Sequence, residues 1–280
     1  MKTNRFVQVL QDMRAEHTAC ASVNILNYNT ARAVIHAAQA AARPIILQPS
    51  TGTVRRYGVD EMFRMVDGLR RGADVTVVLH LDHCRDVSLA KACIEAGWDS
   101  VMMDYSALSL ERNILLTREM ADYAHQWGVA VEGEVGIISG VEDDINQPAS
   151  MSASFEDTVA FIEQTGVDAI APAIGTAHGV YRGVPQLNYT LMRQLSVQPV
   201  PVVVHGGTGL PKEDFQALIA LGAAKINLST VLKQLYLSEM RIQLQNAEVT
   251  PIDLDLNVET TITASIERYI RLFAGEDVTL

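Results

Sequence analysis

The sequence predicts an α/β protein with a (β/α)8 TIM barrel, and two features of the chain lead to that prediction. Short β-branched runs alternate with Ala- and Leu-rich amphipathic stretches of helical period, which is typical of repeated βα units around a parallel sheet. Eight such units are present, and eight favour closure of the sheet into a barrel. Because 280 residues suit one such domain better than two small ones, we expect a single domain over residues 1–280.

The predicted strands are short, and helices are expected between them. The strands lie at 20–25, 44–48, 75–80, 99–103, 129–134, 168–173, 201–205 and 223–227. After the last strand we expect the eighth helix and an extra C-terminal helix that ends near residue 275. The alternative is an open doubly wound sheet. Such sheets carry a Gly-rich fingerprint after the first strand, but Leu26-Asn27-Tyr28-Asn29 stands there instead.

Charge and cysteine content favour an enzyme that acts on a small molecule. Lys plus Arg total 22 and Asp plus Glu total 33, a net charge of −11 without any basic run, so no nucleic-acid or membrane partner is expected. The three cysteines lack zinc-ribbon or redox spacing, and neither an apolar leader nor a membrane span is found. We therefore expect a cytoplasmic protein with reduced thiols.

Three histidines each follow a short apolar run, namely His83, His178 and His205. In a barrel of parallel strands these positions share the carboxyl rim, where they can converge on one metal ion. Three imidazoles with an open fourth position form a ligand set of catalytic zinc, whereas structural zinc sites are closed. We therefore predict that these three bind a metal, although a lone histidine is more often a core or surface residue.

Other polar side chains are predicted at the same rim. Asp82 precedes the first of the three histidines, Glu132 and Glu134 close the fifth strand, and Asn227 ends the eighth. His80 lies three residues before His83, so strict strand alternation points the two to opposite faces unless the chain has already turned there, and His80 is expected to have a packing or supporting role.

Glycine-rich loops follow the sixth and seventh strands, and hydroxyl side chains follow the eighth. The loops are Gly175-Thr176-Ala177-His178-Gly179, Gly206-Gly207-Thr208-Gly209 and Asn227-Leu228-Ser229-Thr230. Turns that bring backbone N–H groups to a helix N-terminus bind phosphate, and TIM barrels often place a phosphate site after strands seven and eight. A simpler role for Ser229 or Thr230 is that of a helix N-cap.

Together these motifs resemble the class II, zinc-dependent ketose-bisphosphate aldolases, which include fructose- and tagatose-bisphosphate aldolases. The resemblance runs from about residue 24 to residue 273. It is carried by Leu79-His80-Leu81-Asp82-His83, Gly175 to Tyr181, His205 to Gly209 and Lys225-Ile226-Asn227.

By that resemblance the three histidines hold one zinc ion per subunit, Asp82 handles the proton of the C4 hydroxyl, and Asn227 steadies the enediolate. The resemblance also implies a set of substrate-binding residues, most of which contact the phosphate of dihydroxyacetone phosphate through the backbone. They are Asn24, Gly179, Gly206, Gly207, Thr208, Asn227, Ser229 and Thr230.

A long loop, at about 135–153, is similar to the mobile segment of this family, whose glutamate moves the C3 proton, and that role falls on Glu142. Taken alone, an acidic run at this position is more typical of a solvated turn. The resemblance also assigns Asp104 and Glu134 to the support of the metal or to a second cation site, for Na⁺ or K⁺. As bare residues they are equally explained by salt bridges at the rim.

The implied reaction is the reversible cleavage of a ketose (bis)phosphate into dihydroxyacetone phosphate and an aldehyde, through a zinc-stabilised enediolate. Tagatose 1,6-bisphosphate, fructose 1,6-bisphosphate and related ketose 1-phosphates are the expected substrates, and a homodimer or homotetramer is the expected assembly. The sequence departs from the family pattern at Cys84, Tyr105 and Ser139, which we expect near the aldehyde. The identity of the aldehyde product is therefore left open.

Three rival functions are weighed against this one. A Schiff-base aldolase would use Lys225, which strand alternation places on the same face as Asn227, and metal dependence separates the two mechanisms. A sugar-phosphate-binding protein without turnover is permitted by the unusual loop around Ser139, but the retained acidic residues and histidines argue against it. A zinc hydrolase lacks its usual His-x-His pair on the first strand.

Overall fold

A computed structural model of the chain describes residues 4–142, 145–147, 150–181 and 183–280, with the backbone alone at 141–142 and 145–147. Eight parallel strands close into a barrel, which confirms the predicted (β/α)8 fold. Numbered in chain order and given in order around the barrel, they are β1 (Cys20–Val23), β11 (Ala223–Leu228), β10 (Val202–Val204), β8 (Ala169–Pro172), β5 (Ala130–Val135), β4 (Ser100–Met103), β3 (Val77–Cys84) and β2 (Ile45–Leu47). Each overlaps its predicted range.

Helices surround this barrel. They are α1 (Arg5–Ala15), α2 (Tyr28–Ala41), α3 (Thr51–Tyr57), α4 (Val59–Arg70), α5 (Val87–Glu95), α6 (Leu110–Gln126), α7 (Phe155–Thr165), α8 (Tyr189–Leu195), α9 (Lys212–Ala220), α10 (Thr230–Gln243) and α11 (Pro251–Phe273). Local capping sets several starts, as at α2, where Asn27 and Thr30 form a reciprocal capping box. The predicted extra C-terminal helix is α11, which packs on α2 and α10. Among the described helices, none has the combined length and apolar character of a membrane span.

Helix α1 lies across the amino-terminal end of the barrel. Its buried residues Phe6, Val9, Leu10 and Met13 join the apolar interior of the barrel in one cluster. The Phe6 ring stacks on the His80 imidazole with 5.2 Å between centroids. This end of the barrel is therefore filled by side chains, and ligand access is left to the carboxyl rim.

A small sheet outside the barrel is made by the two connections that the sequence predicts as long loops. Its strands are β6 (Ser139–Glu142), β7 (Ile145–Gln147) and β9 (Ala177–His178), in the order β7-β6-β9. The parallel pairing of β6 with β9 sets Gly140 opposite His178. Gly140 has a φ of 119°, and a Cβ there would collide with the His178 carbonyl, so only glycine permits this approach.

Strand β3 is irregular near its carboxyl end. Its register with β4 shifts between Leu81 and Cys84, and His83 has a φ of 43°, in the left-handed region that non-glycine residues rarely adopt. The extra residue of this bulge breaks the alternation of side chains, so that His80, Asp82 and His83 all face the interior. Strict alternation therefore does not hold between His80 and His83, because the chain has already turned at the bulge.

Candidate metal centre and active site

The structure brings the three predicted histidines together at the carboxyl rim. His83, His178 and His205 are buried, and each offers a ring nitrogen within 4.8 Å of those of the other two. Nδ1 of His205 lies 2.8 Å from Nε2 of His83, and the His83 and His178 rings meet edge to face with 4.9 Å between centroids. Nitrogens that share one zinc ion lie about 2.0–2.1 Å from it, so this arrangement fits a single ion after small side-chain shifts.

The charge state of the histidines also fits a cation at this position. Burial alone would lower the pKa of His83, but the carboxylates of Asp82 and Asp104 outweigh burial and raise it to about 10. Burial lowers the pKa of His205 to about 3, against the opposing effect of Glu132. One positive charge is therefore stabilised between the two rings, at the place that a metal ion would take.

Glu132 supports His205 from below, and this role was missed in the sequence. Its Oε1 lies 2.8 Å from His205 Nε2, and its Oε2 lies 2.9 Å from the ammonium of Lys225. Carboxylate and ammonium are both fully buried. Burial would raise the pKa of Glu132, but Lys225 and His205 hold it well below its usual value. The bond to Nε2 leaves Nδ1 of His205 for a metal, as in other carboxylate–histidine–metal arrangements.

His80 completes this buried polar chain. Its Nδ1 lies 2.8 Å from Ser100 Oγ, and its Nε2 lies 3.7 Å from Glu132 Oε2. Burial and the nearby Lys225 ammonium keep the pKa of His80 well below its ordinary value, so the ring is neutral. Its expected packing or supporting role matches this position, because it contacts Phe6 beneath and Glu132 above.

Asp104 and Glu134 lie beside His83 and form a second possible cation site with it. Asp104 Oδ2 is 3.3 Å from His83 Nδ1 and 2.9 Å from Arg85 Nη2. Glu134 Oε2 is 3.9 Å from His83 Nδ1 and has no hydrogen-bond partner among the described residues. Burial and the Asp104 carboxylate raise the pKa of Glu134 to about 8. A buried carboxylate oxygen without a donor is one that a cation would stabilise.

Asp82 is held beside the histidines by a chain of amide side chains. Asn24 Nδ2 donates to Asp82 Oδ2 at 2.8 Å, and Asn24 Oδ1 accepts from Gln48 Nε2 at 2.7 Å. Gln48 in turn accepts from the Ser22 hydroxyl. Asp82 Oδ1 lies 3.9 Å from His83 Nε2. Both ends of the Asn24 amide are occupied, so its contribution in this state is to orient Asp82.

The glycine loop after β10 lies against the start of α10. Thr208 Oγ1 accepts from the Val231 N–H at 3.2 Å and so caps α10 from another loop. Ser229 makes no side-chain cap, and its buried hydroxyl has no hydrogen-bond partner within the part of the chain that the structure describes. Ser229 therefore occupies the predicted N-cap position of α10, but its hydroxyl does not cap the helix in this state and is left for a ligand.

The peptide N–H of Gly207, by contrast, is used within the fold, since it donates to the Asn227 carbonyl at 3.1 Å. The N–H groups of Gly206, Thr208, Ser229 and Thr230 donate to no other backbone group among the described residues. Asn227 Oδ1 is buried and, within that same part of the chain, unpartnered. Unpaired donors and acceptors therefore surround the rim, as a phosphate and a polar substrate require.

Tyr181 joins the loop around His178 to the glycine loop. Its hydroxyl donates to the Gly206 carbonyl at 2.6 Å and accepts from the Ala177 N–H at 3.2 Å. Burial raises the pKa of Tyr181 to about 12, so the phenol keeps the proton that it donates. Gly179, in the left-handed region with a φ of 85°, lies in the same loop, directly after His178.

Two sequence departures lie away from the site. Cys84 and Tyr105 are buried in the apolar layer between the barrel and its helices, together with residues such as Leu81 and Met103. Cys84 follows the β3 bulge and points outward, where its Sγ donates to the Asp86 carbonyl. The expectation that both residues lie near the aldehyde is therefore wrong, and Ser139 in β6 is the departure that lies near His178.

Glu142, the predicted acid–base residue, ends β6, and its backbone pairs with Ile145. Its side chain lies outside the described residues. The β6–β9 pairing nevertheless carries the backbone of this loop alongside the strand of His178.

Several known proteins are similar to this chain in fold and sequence. Residues 4–277 match the family model of class-II fructose-bisphosphate aldolase. The fructose-bisphosphate aldolase of Staphylococcus aureus is 37% identical over 227 residues, which cover 80% of this chain and 79% of that protein. The one of Geobacillus stearothermophilus is 38% identical over 216 residues, or 76% and 75%. The YdjI aldolase from Escherichia coli K12 has a TM-score of 0.85 at 31% identity and 96% coverage of each chain. The chain belongs to the class-II fructose-bisphosphate aldolase family.

Proposed function

We propose that this aldolase is zinc-dependent and reversibly cleaves a ketose bisphosphate or ketose 1-phosphate into dihydroxyacetone phosphate and an aldehyde. The observation that carries the proposal is the convergence of His83, His178 and His205 on one point beside Asp82. Family membership supplies the reaction class, and the named relatives favour fructose 1,6-bisphosphate as a substrate, with tagatose 1,6-bisphosphate as its isomeric rival.

The substrate would bind with its phosphate at the start of α10. Gly179, Gly206, Thr208, Ser229 and Thr230 would hold it through backbone N–H groups and the Ser229 hydroxyl, while the peptide of Gly207 keeps the loop in shape. Bound zinc would act as a Lewis acid toward the ketone of the substrate. The three histidines would be its ligands.

The protein would move two protons. Asp82, oriented by Asn24, would accept the C4 hydroxyl proton as the C3–C4 bond breaks, and would return it during condensation. Glu142 would move the proton at C3, in keeping with its place on the strand that pairs with β9. The free Oδ1 of Asn227 and its side-chain amide would hydrogen-bond the deprotonated three-carbon unit.

A monovalent cation, Na⁺ or K⁺, is proposed for the second cluster. Asp104 and Glu134 supply two carboxylates beside His83, and Glu134 Oε2 lacks a donor among the described residues. Oxygen ligands suit such a hard cation. A homodimer or homotetramer in the cytoplasm is proposed on the family resemblance.

A chelation experiment tests whether the activity depends on a bound metal ion. Treatment with EDTA should abolish cleavage of fructose 1,6-bisphosphate, and zinc should restore it. The rival Schiff-base mechanism needs a neutral lysine, whereas Lys225 is buried in an ion pair with Glu132. Activity that survives EDTA, together with a borohydride-trapped adduct at Lys225, would overturn the proposal.

The identity of the aldehyde product is tested with a panel of ketose phosphate substrates. Fructose 1,6-bisphosphate, tagatose 1,6-bisphosphate and monophosphorylated ketoses are compared by kcat/KM for cleavage, and the products of condensation are scored for stereochemistry. Because Cys84 and Tyr105 pack in the apolar layer between the barrel and its helices, neither is expected to change the preference for fructose 1,6-bisphosphate that the named relatives suggest. Zinc binding without cleavage of any of these compounds would instead indicate a binding protein without turnover.

A further inference from the structure

His178 lies in β9, a strand that belongs to the small outer sheet and not to the barrel sheet. Its strand β9 pairs with β6 in the small outer sheet, whereas His205 directly follows the barrel strand β10. The two rings nevertheless lie with 6.1 Å between centroids. Because ligands of one ion must keep a fixed spacing, some other contact has to hold the β9 segment against the end of β10.

The hydroxyl of Tyr181 makes that contact. It is bonded to the Gly206 carbonyl at 2.6 Å and to the Ala177 N–H at 3.2 Å. Ala177 precedes His178 and Gly206 follows His205, so one hydroxyl bridges the backbone beside two candidate ligands. The segments are also in direct contact, because a Cβ on Gly206 would collide with the Ala177 carbonyl.

A further hydrogen bond connects the glycine loop to β11. The peptide group whose carbonyl accepts from Tyr181 carries the N–H of Gly207, and this N–H donates to the Asn227 carbonyl at 3.1 Å. Hydrogen bonds in such a line polarise and strengthen one another. The line crosses the loop in which the phosphate would lie, and it ends at the backbone of Asn227.

We propose that Tyr181 is a positioning residue, whose hydroxyl sets the spacing of His178 and His205 and the orientation of the glycine loop. The identity of the metal and of the phosphate rests on the proposed function, whereas the hydrogen bonds themselves do not. Removal of the hydroxyl leaves the Gly206 carbonyl and the Ala177 N–H without this partner and weakens the attachment of the β9 segment to the end of β10. The ring, which packs on the core, remains.

The test is Tyr181→Phe, which removes one oxygen atom. Zinc affinity is measured by competition with a chromogenic chelator, and ligand geometry by the visible spectrum of the cobalt-substituted protein. We expect zinc affinity to fall about two- to tenfold, the equivalent of one neutral hydrogen bond. We also expect the cobalt bands to shift and KM for fructose 1,6-bisphosphate to rise.

Tyr189→Phe is the matched control, because Tyr189 also loses a hydroxyl bond, to Asp214 at 2.8 Å, between α8 and α9. Thermal unfolding of both metal-free variants shows whether each is folded. Only Tyr181→Phe should change zinc affinity and the cobalt spectrum. Wild-type values in Tyr181→Phe, or an equal loss in Tyr189→Phe, would overturn the proposal. If the wild type binds zinc but cleaves no ketose phosphate, the proposed function fails, while a zinc defect in Tyr181→Phe still supports the positioning role.

Discussion

At the amino-terminal end of the barrel, the buried carboxylate of Asp99 is fully partnered. It is bonded to Arg5 at 3.0 Å, to Arg70 at 3.0 Å and to the Leu79 N–H at 2.9 Å. The space inside this end is filled by α1, with Phe6 at its centre. Satisfied polar groups and dense packing are what a folded protein needs for stability.

At the carboxyl end, several buried polar groups of the rim are left without such partners in the part of the chain that the structure describes. Glu134, Asn227 and Ser229 each bury a polar atom that lacks a hydrogen-bond partner among the described residues. His83 adopts a backbone conformation that costs about 1–3 kcal/mol. The comparison teaches that one barrel keeps stability at one end and function at the other, as TIM barrels generally do. Four substitutions can break or sharpen that division.

The largest expected effect is that of Asp82→Asn at the carboxyl end. The amide keeps the shape of the side chain but cannot accept the C4 hydroxyl proton, so kcat/KM for cleavage should fall by about 10²–10⁴. The free energy of unfolding in urea should fall by much less than this, because the buried ion pair with His83 is lost while the hydrogen bond to Asn24 can be kept. A loss of stability as large as the loss of activity would contradict the division between the two ends.

Glu132→Gln tests the level of the barrel between its two ends. There Glu132 contacts both His205 and Lys225. Zinc affinity should fall about 10–100-fold, and the unpaired Lys225 charge should cost about 3–5 kcal/mol of stability. In the double variant with Lys225→Met, stability should recover while zinc affinity stays low. Recovery of both would show that Glu132 has no separate role at the metal.

Phe6→Ala removes the aromatic ring that fills the amino-terminal end. A core Phe→Ala change costs about 3–5 kcal/mol, and a urea titration should show this loss. The remaining folded protein should keep its zinc content and its KM, because Phe6 stacks on His80 rather than on one of the three candidate metal ligands. A changed KM in protein shown to be folded would mean that packing at the closed end sets the geometry of the rim.

The smallest expected effect is that of Asp99→Asn. The amide loses the charge that pairs with Arg70, which is largely buried, and with Arg5, which is half exposed. We expect a loss of about 1–3 kcal/mol, in the range for hydrogen bonds to charged groups. Specific activity per folded molecule should equal that of the wild type, and a decrease would place Asp99 in the function of the other end.

The sequence predicts the barrel and its strands well, because alternating βα units and apolar runs are local patterns. His83, His178 and His205 are found for the same reason, since each follows such a run. The shared face of His80 and His83 departs from strict alternation because the bulge in β3 changes side-chain parity, and bulges depend on pairing with a neighbour. Parity does place Glu132 in the interior, but its bond to His205 joins distant strands and could not be predicted from either alone.

The loops show the same limit. Ser229 is the N-cap residue of α10, but the capping hydrogen bond comes from Thr208 on a different loop, which the sequence at the helix start cannot reveal. Cys84 ends β3 and Tyr105 follows β4 at the rim, but the side chains of both turn outward into the apolar layer. The role of Tyr181 depends on the approach of two segments that no local pattern records.

The distance along the chain between the two bonded histidines has a consequence for folding. His83 and His205 are 122 residues apart, and the barrel closes through the pairing of Cys20 with Lys225 in β1 and β11. Contacts of such long range form slowly because a large loop must close first. The three-histidine site therefore exists only after most of the barrel has assembled. A metal ion bound there would stabilise the closed barrel by mass action and slow its opening, but it could not guide the early steps of folding.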